Sequence, residues 1–176
     1  MLARILSRAV VGVESPEVAV EAHLSVGLLA FAVVGLPEAA VRESRDRVRS
    51  ALLNSRFDFP ARRITVNLAP ADLPKEGGRF DLPIALSILA ASGQLPMGAL
   101  RDLEFFGELS LSGELKPVRG MLPAALKTRA AGRSLMLPGD NADEAALVSG
   151  VTVYGAQRQT QRPADAARSG KNLRTR

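Results

Sequence analysis

Cysteine is absent from these 176 residues, which removes disulfides, thiolate nucleophiles and cysteine-type zinc sites and fits a reducing compartment. Histidine occurs once, at His23, so a multi-histidine metal site fails and a Ser-His-Asp triad would have to use that residue. His23 lies in the alternating run 18–24, where an imidazole on a strand face needs no ligand to explain it. Tryptophan is also missing and aromatics make up only 4%. The core must therefore be packed by Val, Leu, Ile and Ala, and the 47% hydrophobic fraction suffices for one domain of this length. No apolar run reaches membrane-spanning length. The opening Met1-Leu2-Ala3-Arg4 leads into a strand-like pattern broken by Arg8 and Glu14 rather than into the apolar stretch of a signal peptide. A cytoplasmic protein without a membrane partner is expected.

Excess acid is lacking as well: the formal charge is +5. Its distribution decides what it means. Residues 157–176 hold six basic side chains (Arg158, Arg162, Arg168, Lys171, Arg174, Arg176) against Asp165, which leaves 17 basic and 17 acidic residues in 1–156. The apolar periodicity also stops after Gly155, and a segment so poor in large hydrophobic residues cannot repay its ordering entropy. The expected organisation is a folded domain over 1–156 followed by a basic, disordered tail over 157–176.

Within the domain, 3–13, 17–25 and 28–34 carry alternating or β-branched patterns and read as three strands of a meander. Gly35-Leu36-Pro37-Glu38 opens a helix to about Leu53, with Val41, Ser44, Val48, Ala51 and Leu52 along one stripe. A strand over 64–68, an apolar helix over 82–91, a strand entering a hairpin at Ser112-Gly113, a helix over 120–131, a strand over 134–137, a helix over 141–148 and a last strand over 151–154 complete the pattern. This order is α/β, also describable as α+β, with a mixed sheet. No internal repeat is found.

The most informative stretch is Pro74-Lys75-Glu76-Gly77-Gly78-Arg79-Phe80-Asp81-Leu82-Pro83. It joins a half-buried strand to the apolar helix. Gly77 and Gly78 permit backbone conformations that a β-carbon would obstruct, Asp81 is placed to cap the helix, and Pro83 falls in the first turn, where its missing N–H breaks no bond. Such a turn is either an anion-receiving loop or a plain connector.

Taken with Val34-Gly35-Leu36-Pro37, the run 43–49, Ile64-Thr65-Val66-Asn67-Leu68-Ala69-Pro70-Ala71-Asp72-Leu73, and Gly107-Glu108-Leu109-Ser110-Leu111-Ser112-Gly113-Glu114-Leu115-Lys116-Pro117-Val118-Arg119-Gly120, that loop closely resembles the N-terminal domain of the ComM/YifB family of magnesium-chelatase-like AAA+ ATPases. The resemblance covers about 1–156. It implies the fold shared by a small-subunit ribosomal protein, the Lon proteolytic domain and the pseudo-protease end of the recombination ATPase RadA. In Lon enzymes the matching loop reads Pro-Lys-Asp-Gly-Pro-Ser-Ala-Gly, so its serine falls at Arg79, and the general-base lysine falls at Leu122. Neither replacement can act as nucleophile or base, and no Ser-x-x-Lys or Gly-x-Ser-x-Gly spacing offers a substitute. No catalytic residue and no enzyme activity are expected of this chain.

The resemblance further implies DNA processing, branch migration during natural transformation, and a hexameric ring. ATP and Mg²⁺ belong to an ATPase module that these residues do not include: the sole Gly-Lys pair, Gly170-Lys171, is followed by Asn172 rather than a hydroxyl, with Asp165 where the first glycine of a phosphate loop should be. Two roles follow as expectations. In one, Arg42, Arg45 and Arg49, spaced along one helix face, contact DNA phosphates together with Lys75 and Arg79; the bland alternative is a solvated mixed-charge face with Glu38–Arg42 and Glu43–Arg47 pairs. In the other, the domain is an oligomerisation module, with Phe105, Phe106 and Met121 either at an interface or in the core. A metal site at Asp140, Asp143 and Glu144 is not expected, since acids near a helix start complement its dipole.

Overall fold

The computed structural model describes residues 1–35 and 37–157. The expectation for the tail therefore falls, from residue 158 on, outside the described residues.

β1 (Leu2–Arg8) and β2 (Glu17–Ser25) form an antiparallel hairpin in register from Leu2 opposite His23 to Arg8 opposite Glu17. The meander stops there. β3 (Ala30–Val34) does not return to β2; it pairs parallel with β4 (Arg63–Ala69), and β4 takes the edge of β2. Parallel neighbours need a long crossover, and the segment between β3 and β4 supplies it as α1 (Ala39–Arg42) and α2 (Ser44–Asn54). The helix expected over 38–53 is thus two helices broken at Glu43, but its stripe holds: Val41, Ser44, Val48, Ala51 and Leu52 are all buried.

The other side of the sheet grows from β1 through parallel pairings with β5 (Leu103–Phe105), then β8 (Ser134–Pro138), then β9 (Val153–Ala156). The result is one mixed sheet ordered β3-β4-β2-β1-β5-β8-β9, with a separate hairpin of β6 (Glu108–Leu109) and β7 (Leu115–Lys116). Hydrophobic alternation assigns the two faces. Val18, Val20, Ala22 and Leu24 of β2, with Ile64, Val66 and Leu68 of β4, pack in one core with α3 (Asp81–Ala91). On the opposite face Leu135 and Leu137 join Met121, Ala124 and Ala125 of α4 (Met121–Ala130), while Met136 between them points to the α3 side. This period-two division is what a strand covered on both faces demands. Phe105, Phe106 and Met121 are core residues, at 1%, 0% and 0% exposure, so they form no exposed interface. The last helix among the described residues is short, α5 (Ala142–Ala145). Among the described residues no helix is long and apolar enough to cross a membrane.

Glu104, fully buried on β5, accepts from Arg8 Nε at 2.5 Å and Nη2 at 3.1 Å, from Thr128 Oγ1 at 3.0 Å and from Arg133 Nη1 at 3.3 Å. Arg8 also donates to the Ser15 carbonyl at 3.0 Å. A buried carboxylate with four donors, facing a bidentate guanidinium, ties β1, β5 and α4 together.

Candidate functional site

The loop from Lys75 to Phe80 leads into α3 and faces the segment 117–119 before α4. Between them lies a cleft of about 490 Å³ whose lining includes Glu38, Glu76, Arg79, Glu108 and Arg119. Gly77 has φ +72°, in the left-handed region that disfavours a β-carbon. At Gly78 the constraint is space: a β-carbon there would stand 2.5 Å from the Glu108 carboxylate. The glycines thus let the loop lie directly against β6.

Four sequence expectations change here. Lys75 is no surface contact: it is fully buried, and its amine donates to the carbonyls of Gly35, at 2.5 Å, and Pro70. Burial lowers its pKa, with the Asp72 charge acting in the opposite direction. With Glu38 N–H donating to the Lys75 carbonyl at 3.2 Å, Lys75 ties both Gly35 and Glu38 to the loop. Asp81 does not cap α3. It is the first helical residue, and its carboxylate accepts from Arg47 Nε at 2.7 Å, Arg47 Nη2 at 3.1 Å and the Leu109 N–H at 3.0 Å. Desolvation pushes the Asp81 carboxyl up against the pull of these donors, while the same bond raises Arg47. Asp81 therefore fastens α2 and β6 to the start of α3.

Arg79 is 6% exposed and does not reach out with the α2 arginines. Its guanidinium lies over the Phe106 ring at 5.6 Å, and Nη1 is 3.7 Å from the point where Gly120 would carry a β-carbon. Nε and Nη2 are buried with no hydrogen-bond partner among the described residues. Desolvation pulls its pKa down to about 10, so at neutral pH it is a charged group with no ion-pair partner among the described residues. The fold brings Arg79 close to Gly120, two residues before Leu122. Leu122 is itself partly exposed, and its N–H donates to Glu144 Oε1 at 3.3 Å.

Arg42, Arg45 and Arg49 are all exposed, as the helical spacing requires, but they belong to another place. Arg45 and Arg49, with Arg62, Asp46, Phe31 and Phe59, line a groove of about 460 Å³ that shares no residue with the first cleft. Arg45 Nη1 donates to the Phe31 carbonyl at 3.3 Å and Nε to the Arg42 carbonyl at 3.2 Å. Arg49 sits over the Phe59 ring at 5.6 Å, and Phe59 tilts against Phe31 with centroids 5.8 Å apart. Of the two expected helix pairs, Glu43–Arg47 forms at 3.8 Å. Phe31, Phe59, Glu108 and Arg119 were not singled out from sequence, because their neighbours lie far along the chain.

These residues do not fit a nucleotide. The glycine loop carries no Lys-Ser/Thr pair for phosphates and metal, and carboxylates of Glu76 and Glu108 line the same cleft.

Comparison with known proteins agrees with the motif reading. The chain is 56% identical over 156 residues to the competence protein ComM of Haemophilus influenzae, covering 89% of this chain and 31% of that protein. It is 50% identical over 149 residues to YifB of Escherichia coli, covering 85% and 29%. A Lon protease of Chloroflexus aurantiacus is 32% identical over 106 residues, 59% of this chain and 12% of the protease. The chain spans about a third of the length of the ComM and YifB relatives. Residues 20–141 match the family model of ChlI, subunit ChlI of Mg-chelatase, and the chain belongs to this magnesium-chelatase-like AAA+ family.

Proposed function

We propose that this chain is a non-catalytic module of a ComM-like DNA-processing ATPase and that it engages DNA through the α2 groove. The observation that carries this reading is the set of Arg45, Arg49 and Arg62 beside the Phe31–Phe59 pair, with exposed Arg42 at the end of α1, just before α2. Guanidinium groups neutralise phosphates without reading sequence, and an aromatic face accepts a stacked base. A single carboxylate, Asp46, shares the groove with these arginines. The printed name of one relative, a competence protein, supports the same direction. Absence of catalysis is supported by the side chains at the positions that the Lon resemblance assigns to the dyad: a buried arginine at 79 and a leucine at 122 supply neither a nucleophile nor a base. ATP and Mg²⁺ are assigned to the part of the longer relatives that this chain does not span.

The test is the salt dependence of oligonucleotide binding. Charge reversal at Arg45 and Arg49 should weaken binding and flatten the log–log salt slope by about one unit per lost phosphate contact. The basic segment 158–176 can imitate this effect, so the same pair is reversed in a chain ending at Gln157. If that shorter chain folds and binds no DNA at any salt, the arginines are surface charge. Incubation with unfolded substrate and a serine-reactive probe tests the other half: labelling with cleavage would restore a protease reading.

An oligomerisation role is favoured by a different observation. Val26, Leu28 and Leu29 are 91%, 88% and 72% exposed on the loop entering edge strand β3, and contiguous exposed aliphatic side chains mark association surfaces. Sedimentation of Leu28→Asp and Leu29→Asp chains against the parent measures it.

A further inference from the structure

Arg79 is the described residue whose chemistry is least accounted for by the fold. Several of its neighbours have tasks within the fold. Lys75 staples the loop, Asp81 and Arg47 hold α2 to α3, and Glu108 packs on Gly78. Arg79 instead lines the cleft with Nε and Nη2 buried and unpartnered among the described residues. A guanidinium so placed has donors on one edge in the geometry that a carboxylate or a phosphate oxygen pair completes. The back of the fork is occupied by Phe106, whose ring stabilises the cation without satisfying any N–H.

The rim distinguishes between these two anions. Glu38 and Glu76 are exposed at the mouth, Glu108 lies within, and Arg119 is the other basic residue of the lining. A nucleic-acid strand carries a negative charge about every 3.4 Å, so a phosphate paired with Arg79 would bring its neighbours up to the three glutamates. A polypeptide can bring one negative charge with neutral or basic residues on either side. We propose that the cleft between the Gly77–Arg79 loop and residues 117–119 is a docking site for an acidic side chain or C-terminal carboxylate of a partner polypeptide, with the Arg79 guanidinium as its bidentate partner and basic flanking residues received by Glu38 and Glu76. The cleft volume of about 490 Å³ is within the range of about 300–1,000 Å³ common to ligand sites. This site is separate from the α2 groove, so DNA binding and peptide binding can fail independently.

The experiment titrates the full chain, labelled with ¹⁵N, while the Arg79 Nε–H resonance is followed. Four probes are added to millimolar concentration: an acetylated, amidated peptide with one central glutamate flanked by glycines and lysines; the same peptide with glutamine in its place; sodium acetate; and a single-stranded oligonucleotide. A fifth, the glutamine peptide with a free C-terminus, separates side-chain from terminal carboxylate capture. The expected result is a saturable shift of the Nε–H resonance with the glutamate peptide or the free-acid peptide, absent with the blocked glutamine peptide, and weaker with acetate at equal concentration. Arg79→Met should lower peptide affinity about tenfold or more, the effect of losing a charge-assisted pair. No response to either carboxylate peptide, an equal response to the blocked glutamine peptide, acetate as effective as peptide, or a larger shift with the oligonucleotide would each overturn the proposal. Should Arg79→Met fail to fold, the titration of the unaltered chain decides alone.

Discussion

Arg8 and Arg79 are equally buried, each 6% exposed, and the fold treats them oppositely. Arg8 spends its donors on the Glu104 carboxylate and on the carbonyls of Ser15 and Lys127, at the junction of β1, β5 and α4. Arg79, at a loop lining a cleft, leaves Nε and Nη2 without an acceptor among the described residues. Burial alone therefore does not say what an arginine is for; the partners do. A paired guanidinium in the sheet is structural, and losing either member exposes the other to the full cost of an uncompensated charge. An unpartnered one costs stability in the free chain and can recover that cost only when something binds.

The largest effect expected from this contrast is at the paired site. Glu104→Leu should lower unfolding free energy by about 3–5 kcal/mol, because Arg8 and Arg133 lose their shared acceptor in a buried setting. Adding Arg8→Met to it should restore much of the loss, a coupling visible in a double-mutant cycle by denaturant unfolding. Additive losses would show that the pair does not act as a unit. At the unpartnered site the sign reverses. Arg79→Met should stabilise by about 1–2 kcal/mol, the relief of desolvation less the lost attraction to Phe106, raising the melting temperature by a few degrees for a chain of this size. A clear fall in stability would mean that Arg79 is a second Arg8.

A third measurement separates both from the exposed arginines. Arg45→Ala and Arg49→Ala should leave stability within about 0.5 kcal/mol while flattening the salt slope of DNA binding, whereas Arg79→Met should leave that slope unchanged. The smallest effect concerns pH. In the folded chain burial pulls Arg79 down to about 10, well below the ordinary guanidinium range, so the unfolded chain holds the proton more tightly above that pH. The penalty is complete below pH of about 10 and shrinks as pH rises through it. The stability gap between Arg79→Met and the parent should narrow above that pH and stay level between pH 6 and 9.

Legibility followed the range of the interactions involved. The buried stripe of α1–α2, the alternating faces of β2 and β4 and the mostly apolar α3 were readable because each is a local pattern imposed by burial against the core. The meander over 3–34 was misread since a strand's edge partner is chosen by competition: β4, with Ile64, Val66 and Leu68 continuing the buried face, takes the edge of β2. Asp81 was misread for a similar reason, since an acid at a helix start looks like a cap until Arg47, 34 residues away, is folded beside it.

Thus the sequence by itself determined the element types, the apolar faces, the membership of the family and the side chains standing at 79 and 122, because all of these depend on residue identity and short spacing. Folding the whole chain made Lys75 an internal staple, divided the arginines between a groove and a cleft, and gave Arg8 its acceptors while leaving Arg79 Nε and Nη2 without one among the described residues. Burial and hydrogen-bond satisfaction are properties of what the rest of the chain brings to a side chain, and no local pattern of residues encodes them.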